Sequence, residues 1–181
     1  LGQERWVIVH AACDESACSL WAALLRSEAG VAVVEEKYEL GQQKSWTGGD
    51  VSAELPNIVD VQGDGESELL FRWTQCGKPE PAVGPACETL VAITSLRLAP
   101  LWRGLVAATG AGSQRDCSAR FRAEDLDRDG FRDVLLDLNC WQAYCRVDPS
   151  LCADAAEESH YEYYWTPAES VFAERKPKPK N

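Results

Sequence analysis

The sequence predicts an all-β domain of about three four-stranded repeats, stapled by disulfides. Three observations predict it. An acidic loop followed by an apolar strand occurs twice, in VDVQGDGESELLF at residues 59–71 and in EDLDRDGFRDVLL at residues 124–136. Cysteines then flank the segment that follows each of these strands. The apolar segments themselves are short and rich in β-branched and aromatic residues, as half-buried strands are.

The loops carry the most chemistry. Asp125, Asp127 and Asp129 alternate, Gly130 follows, and Asp133 comes three residues later. Short acidic side chains at alternate positions converge on one hard cation, and a glycine at the sixth position lets the chain turn around it. Asp60, Gln62, Asp64, Gly65 and Glu68 hold the same offsets upstream. An EF-hand needs a bidentate Glu at position 12 and flanking helices. Position 12 here is Leu136 or Phe71, and the last acid stands at position 9. The runs VLLDL and LLFRW start immediately afterwards, so each loop is expected to join two strands.

Asp125, Asp127, Asp129, Gly130 and Asp133, followed by VLL, resemble the FG-GAP repeats, the calcium-binding blades of integrin alpha chains and of many bacterial secreted proteins. The resemblance covers two loops and the strands after them. It implies calcium binding and a propeller-like sheet arrangement, and no catalytic activity. The expected calcium ligands are Asp125, Asp127, Asp129, Asp133 and the backbone carbonyl of Phe131. Asp60, Gln62, Asp64 and Glu68 form the weaker counterpart. Gln62 stands where the family has Asp or Asn, and an amide oxygen brings no charge.

The repeat sets the order of the elements. Gly65 to Gly130 is a period of 65 residues, and a similar step back reaches Gly2. GQERWVIV, GESELLFR and GFRDVLLD then align, so WVIVH at residues 6–10 is the first strand. Leu1 replaces an acid there, so this copy is expected to hold no metal. SLWAALLRSEAG would pass for a short helix, but its counterpart ETLVAITSLRL is too β-branched, so both are expected to be strands. VAVVEEKYEL at residues 31–40 alternates as a further strand, with RSEAG as the hairpin turn before it. YEYYW closes the third repeat. Four strands per repeat, about twelve in all, fit a propeller-like or compact pseudo-threefold arrangement. The expected domain spans residues 1–175, with repeats near 1–56, 57–121 and 122–175. Residues 176–181 form a Lys/Pro-rich tail, expected to be extended and solvated.

Composition sets the compartment and excludes several partners. Eight cysteines without CxxC spacing, and only His10 and His160 to join them, argue against zinc and for structural disulfides in an oxidising compartment. Cys13–Cys18 and Cys76–Cys87 would staple two hairpins. The remaining four allow Cys140–Cys152 with Cys117–Cys145, or Cys140–Cys145 with Cys117–Cys152. No apolar run reaches the length of a membrane span and the given chain holds no signal peptide, so Leu1 is expected to follow a removed leader or an earlier segment, and the expected disulfides place the chain as secreted or periplasmic. The net charge of −11 argues against a nucleic-acid partner.

An enzyme reading finds little. No GxSxG, P-loop or GxGxxG motif is present. His10 falls inside an expected strand and His160 in a polar loop, neither with a partner by spacing. Tyr161, Tyr163 and Trp165 alternate onto one strand face, which offers a binding surface for sugar or protein, or a packing surface. The reading that follows is a calcium-stabilised repeat domain acting in macromolecular binding or adhesion, with a protein or glycan partner. A structural subunit of an extracellular or envelope assembly, and a carbohydrate-active enzyme or lectin, stand as alternatives.

Overall fold

A computed structural model describes residues 5–13, 18–43, 50–77, 86–109, 115–142 and 157–174. Among these residues the protein is all-β, with twelve strands and no helix. The strands are β1 (Arg5–Cys13), β2 (Cys18–Glu28), β3 (Val31–Gln43), β4 (Asp50–Ala53), β5 (Asn57–Val59) and β6 (Glu68–Cys76). They continue as β7 (Cys87–Ser95), β8 (Pro100–Thr109), β9 (Arg115–Glu124), β10 (Asp133–Gln142), β11 (Glu157–Thr166) and β12 (Val171–Glu174). The segment SLWAALL is a strand, as its β-branched counterpart required. The turn after it is a two-residue hairpin in which Glu28 faces Val31, and Ala29 and Gly30 take φ of 52° and 82°. Positive φ at both central residues matches the turn to the twist of the flanking strands.

Every ladder is antiparallel and the strands run in chain order. One sheet is β1-β2-β3, and the other is β12-β11-β10-β9-β8-β7-β6-β4. β4 and β5 lie end to end along β6, against Trp73–Cys76 and Glu68–Leu70. Pro56, which has no N–H to donate, stands in the interruption between them. The first sheet therefore has three strands, where four were expected, because the pairing of β4 is with β6.

The long sheet folds over at one place. β8 and β9 share only two residue pairs, Ala107 with Ser118 and Ala108 with Cys117. Beyond that seam the two halves face each other. Val91 and Ile93 of β7, Trp102 and Val106 of β8, Val134 and Leu136 of β10 and Trp165 of β11 share one core. In a flat sheet β7 and β10 would stand three strand spacings apart, about 14 Å. A second core joins Leu20, Ala22 and Leu24 of β2 to Leu69, Phe71 and Trp73 of β6. The molecule thus stacks three layers: β1–β3, β4–β8 and β9–β12.

The disulfides correct the expected connectivity. Cys76 bonds Cys87 across β6 and β7, as expected. Cys18 is disulfide-bonded, and Cys13 lies opposite it in the strand register. Cys140 bonds Cys117, which neither expected set contained. Cys145 and Cys152 lie outside the described residues. The reason is a count of one residue. Glu68 to Cys76 is eight steps, and Asp133 to Cys140 is seven. In an antiparallel middle strand a residue makes a close, non-hydrogen-bonded pair with one neighbour and a wide pair with the other, and the sides alternate along the chain. The Gly77 N–H donates to the Ala86 carbonyl, which puts the close pair of Cys76 on the β7 side. Moving one residue exchanges the sides, so the close approach of Cys140 is to β9. The Cα separations are 4.0 Å for Cys76–Cys87 and 4.1 Å for Cys117–Cys140.

Candidate metal centre

The two acidic loops fold alike, and the likeness is carried by hydrogen bonds at matching positions. Asp125 Oδ2 accepts the Gly130 N–H at 3.2 Å, and Asp60 Oδ2 accepts the Gly65 N–H at 3.2 Å. Asp129 Oδ1 accepts from Phe131 at 2.9 Å, and Asp64 Oδ1 accepts from Glu66 at 2.8 Å. Asp133 Oδ2 accepts from Leu126 at 3.0 Å, and Glu68 Oε2 accepts from Val61 at 2.6 Å. The left-handed residues also match, Arg128 with Gly63 and Gly130 with Gly65. Such side-chain to backbone bonds hold a turn that has no ladder of its own.

The acid at position 9 does more than the spacing implied. Asp133 is 1% exposed, and its second oxygen accepts the buried Trp165 N–H of β11 at 3.0 Å. It clamps the loop to a strand 32 residues away. Glu68 is 3% exposed and holds the Val61 and Gln62 backbone of its own loop. Burial pushes both carboxyls above their ordinary values, and the backbone N–H donors pull them partly back. Asp127 and Asp129 raise Asp133 further, as like charges facing one site do.

Asp125, Asp127 and Asp133 each bring a carboxylate oxygen to within 4.8 Å of the others. Two oxygens bound to one calcium at about 2.4 Å lie at most about 4.8 Å apart, so this set meets the condition for a shared ion. The donors are all hard oxygens, the type that calcium takes. Asp129 is outside that group and is exposed. In the first loop, both oxygens of Asp60 accept backbone N–H groups, from Gly63 and Gly65. Gln62 is buried at 6% exposure, and no three-acid group forms there among the described residues.

One cation already touches the first loop, and the spacing did not reveal it. The Arg132 N–H donates to the Gln62 carbonyl at 2.6 Å, and its guanidinium donates to the Asp60 carbonyl at 3.2 Å. A Cβ at Gly63 would lie 3.1 Å from the Arg132 side chain. The second loop therefore lies across the first.

The other sequence candidates are placed differently from expectation. Tyr161, Tyr163 and Trp165 do share a face, but it is a packing face. Trp165 is buried in the core, Tyr161 and Tyr163 pack against that core, and Trp102 meets Tyr163 edge-on at 5.4 Å between ring centres. Of the two readings offered for this face, binding and packing, these contacts fit packing. His160 lies within β11, not in a loop, and is exposed. Its Nδ1 pairs with Asp137 and its Nε2 with Glu162, while Arg122 bridges Asp137 and Glu124. The Asp137 carboxylate, and then Glu162, hold the imidazole above its ordinary value. Only strand register could have found these partners. Among the described residues no helix is long and apolar enough to cross a membrane. In comparisons with known proteins, no family model, no curated protein and no solved structure matches the chain.

Proposed function

We propose that this is a secreted or periplasmic, calcium-stabilised β-repeat domain of FG-GAP type that acts by binding another macromolecule. The reading treats the three layers as successive blades of a propeller-like array. Its support is the pair of loops, which share three hydrogen bonds and two left-handed positions and differ in the convergence of acids. Asp125, Asp127 and Asp133 would hold the ion, with Asp129 shaping the turn. Calcium would supply the charge that offsets their mutual repulsion. Asp133 would present a remaining lone pair to the ion while its N–H contacts fix the loop to β11. The disulfides support an oxidising compartment. The packing of Tyr161, Tyr163 and Trp165 against the core gives less support to the alternative of a lectin or carbohydrate-active enzyme.

Thermal melts in calcium and in chelator test the calcium role. Wild type should melt higher in calcium, since an ion that binds only the folded chain stabilises it. Asp127→Ala should forfeit that gain. In chelator the same change should cost less than in calcium, because it forfeits no ion and removes a charge that repels Asp133. Equal shifts in both buffers would reduce the loop to a solvated turn.

A further inference from the structure

A cleft opens where the second and third layers part at their loop end. Glu68 of β6 pairs with Ser95 of β7, so the first acidic loop stands beside the β7–β8 turn. The space between these two and β11 has a volume of about 700 Å³. Leu101 of β8 and Trp165 of β11 give it an apolar floor. Its size falls within the range of sites that enclose small molecules or side chains.

The polar lining of this cleft is unfinished. Gln62 lines it and is only 6% exposed, yet its side-chain amide has no hydrogen-bond partner among the described residues. Its backbone is fully used, the N–H by Glu68 and the carbonyl by Arg132. Buried polar groups are normally paired, so this amide is an idle donor and acceptor on the cleft wall. The charge of the loop is settled at Asp60, whose two oxygens accept backbone N–H groups. It is not settled at Asp64 and Glu66, which also line the cleft. Both are exposed, and neither makes an ion pair among the described residues. Asp64 Oδ1 accepts the Glu66 N–H, which leaves its second oxygen for a ligand. Arg97 enters from the β7–β8 turn, where Ser95 Oγ accepts the N–H groups of Arg97 and Ala99 at 3.2 Å each.

We propose that this cleft binds a segment of a partner protein through one basic side chain, lysine or arginine. The Gln62 amide offers a donor and an acceptor, the complement of a peptide group. Asp64 and Glu66 meet the basic head, while Leu101 and Trp165 cover its methylene stem. Arg97 donates to a carbonyl of the same segment. A neutral sugar would use the amide and the apolar floor, but it would take Asp64 and Glu66 out of water without a counter-charge. The net charge of −11 draws a basic partner toward the protein. The proposal rests on the binding role given above and names its partner class, and it does not depend on calcium.

An NMR titration of the full chain, with and without calcium, tests it. The probes are acetyl-Ala-Ala-Lys-Ala-Ala-amide and the same peptide with norleucine or glutamate in place of lysine. The lysine peptide should shift the side-chain amide of Gln62 and the indole of Trp165 with a Kd of about 1 mM. The norleucine peptide should bind about fivefold more weakly, and the glutamate peptide should leave these signals in place. Glu66→Gln, at an exposed position, should weaken the lysine peptide and leave the norleucine peptide unchanged. Gln62→Leu, which keeps the backbone contacts of the loop, should weaken both. Peptide binding in this order supports the cleft even if the melts show no calcium effect. Equal shifts from the lysine and glutamate peptides would overturn it. So would unmoved Gln62 signals at about 10 mM lysine peptide, whether or not calcium stabilises the fold or maltotriose moves them.

Discussion

Loops 60–68 and 125–133 share one backbone, yet they solve the problem of concentrated charge in different ways. The first is satisfied from within the protein. Its Asp60 carboxylate is taken up by two backbone N–H groups, its third position is a buried neutral Gln62, and the Arg132 guanidinium rests on its carbonyl edge. The second leaves Asp125 and Asp127 exposed and converging with a buried Asp133. The comparison teaches that one set of side-chain to backbone bonds can frame two loops of different charge. Side-chain to backbone bonds and two left-handed residues build the turn, and the identity of the third residue determines how much negative charge converges there.

The largest expected effect falls on the acid at position 9. Asp133→Ala leaves the N–H groups of Leu126 and Trp165 without their acceptor and separates the loop from β11. Each buried donor left unpaired costs about 1–3 kcal/mol, so a loss of roughly 3–4 kcal/mol is expected. Glu68→Ala should cost less, about 2 kcal/mol, because its contacts stay within one loop. Urea denaturation in chelator compares the two. An equal or larger loss at Glu68 would break the distinction drawn between a local and a bridging clamp.

A smaller pair of substitutions should change stability in opposite directions. Gly63 and Arg128 occupy the same left-handed position, with φ of 78° and 62°. Gly63→Ala adds a strained backbone and a Cβ that presses on Arg132, at an expected cost of about 1–2 kcal/mol. Arg128→Gly relieves the strain and should stabilise by up to about 1 kcal/mol. Two losses of equal size would show that Arg128 makes a contact which offsets its conformation.

The smallest effect separates the loops from the strand behind them. His160 titrates above its ordinary value because Asp137, then Glu162, stabilise its charged form. Its contribution is complete below the unfolded imidazole value of about 6.5 and is lost as pH rises through the folded value. The ring is half exposed, so solvent screening limits this to a few tenths of a kcal/mol. An NMR titration should place the His160 midpoint above that of a free imidazole, and Asp137→Asn should lower it. A midpoint that Asp137→Asn does not move would transfer the effect to Glu162.

Much of this arrangement was legible in the residues, and the remainder required register. The spacing of Asp125, Asp127, Asp129 and Gly130 located the loops, and β-branching in ETLVAITSL made its counterpart SLWAALL a strand. What spacing could not supply was direction. The alternation of Tyr161, Tyr163 and Trp165 defines one face without saying which side holds the core. The partners of His160 lie across a ladder. The Cys140 bond was present in the sequence as seven steps against eight, a signal that matters only once close and wide pairs are distinguished. The spacing and the family resemblance mark Asp133 as a ligand, and what they do not show is that its buried carboxylate also accepts the Leu126 and Trp165 N–H groups.

The chain-order arrangement of the strands has a consequence for assembly. Among the described residues no ladder waits for a distant segment, because each strand pairs with one that is its near neighbour in the sequence. Closing such short loops costs little entropy, so each hairpin can form as soon as its second strand is available. The molecule can therefore grow from its amino-terminal end one strand at a time, with each finished layer serving as the template for the next. Among the described layers, the one that begins with β1 comes first. Until β6 and β7 arrive, the apolar face it turns toward them stays open, and that face is then exposed to wrong partners.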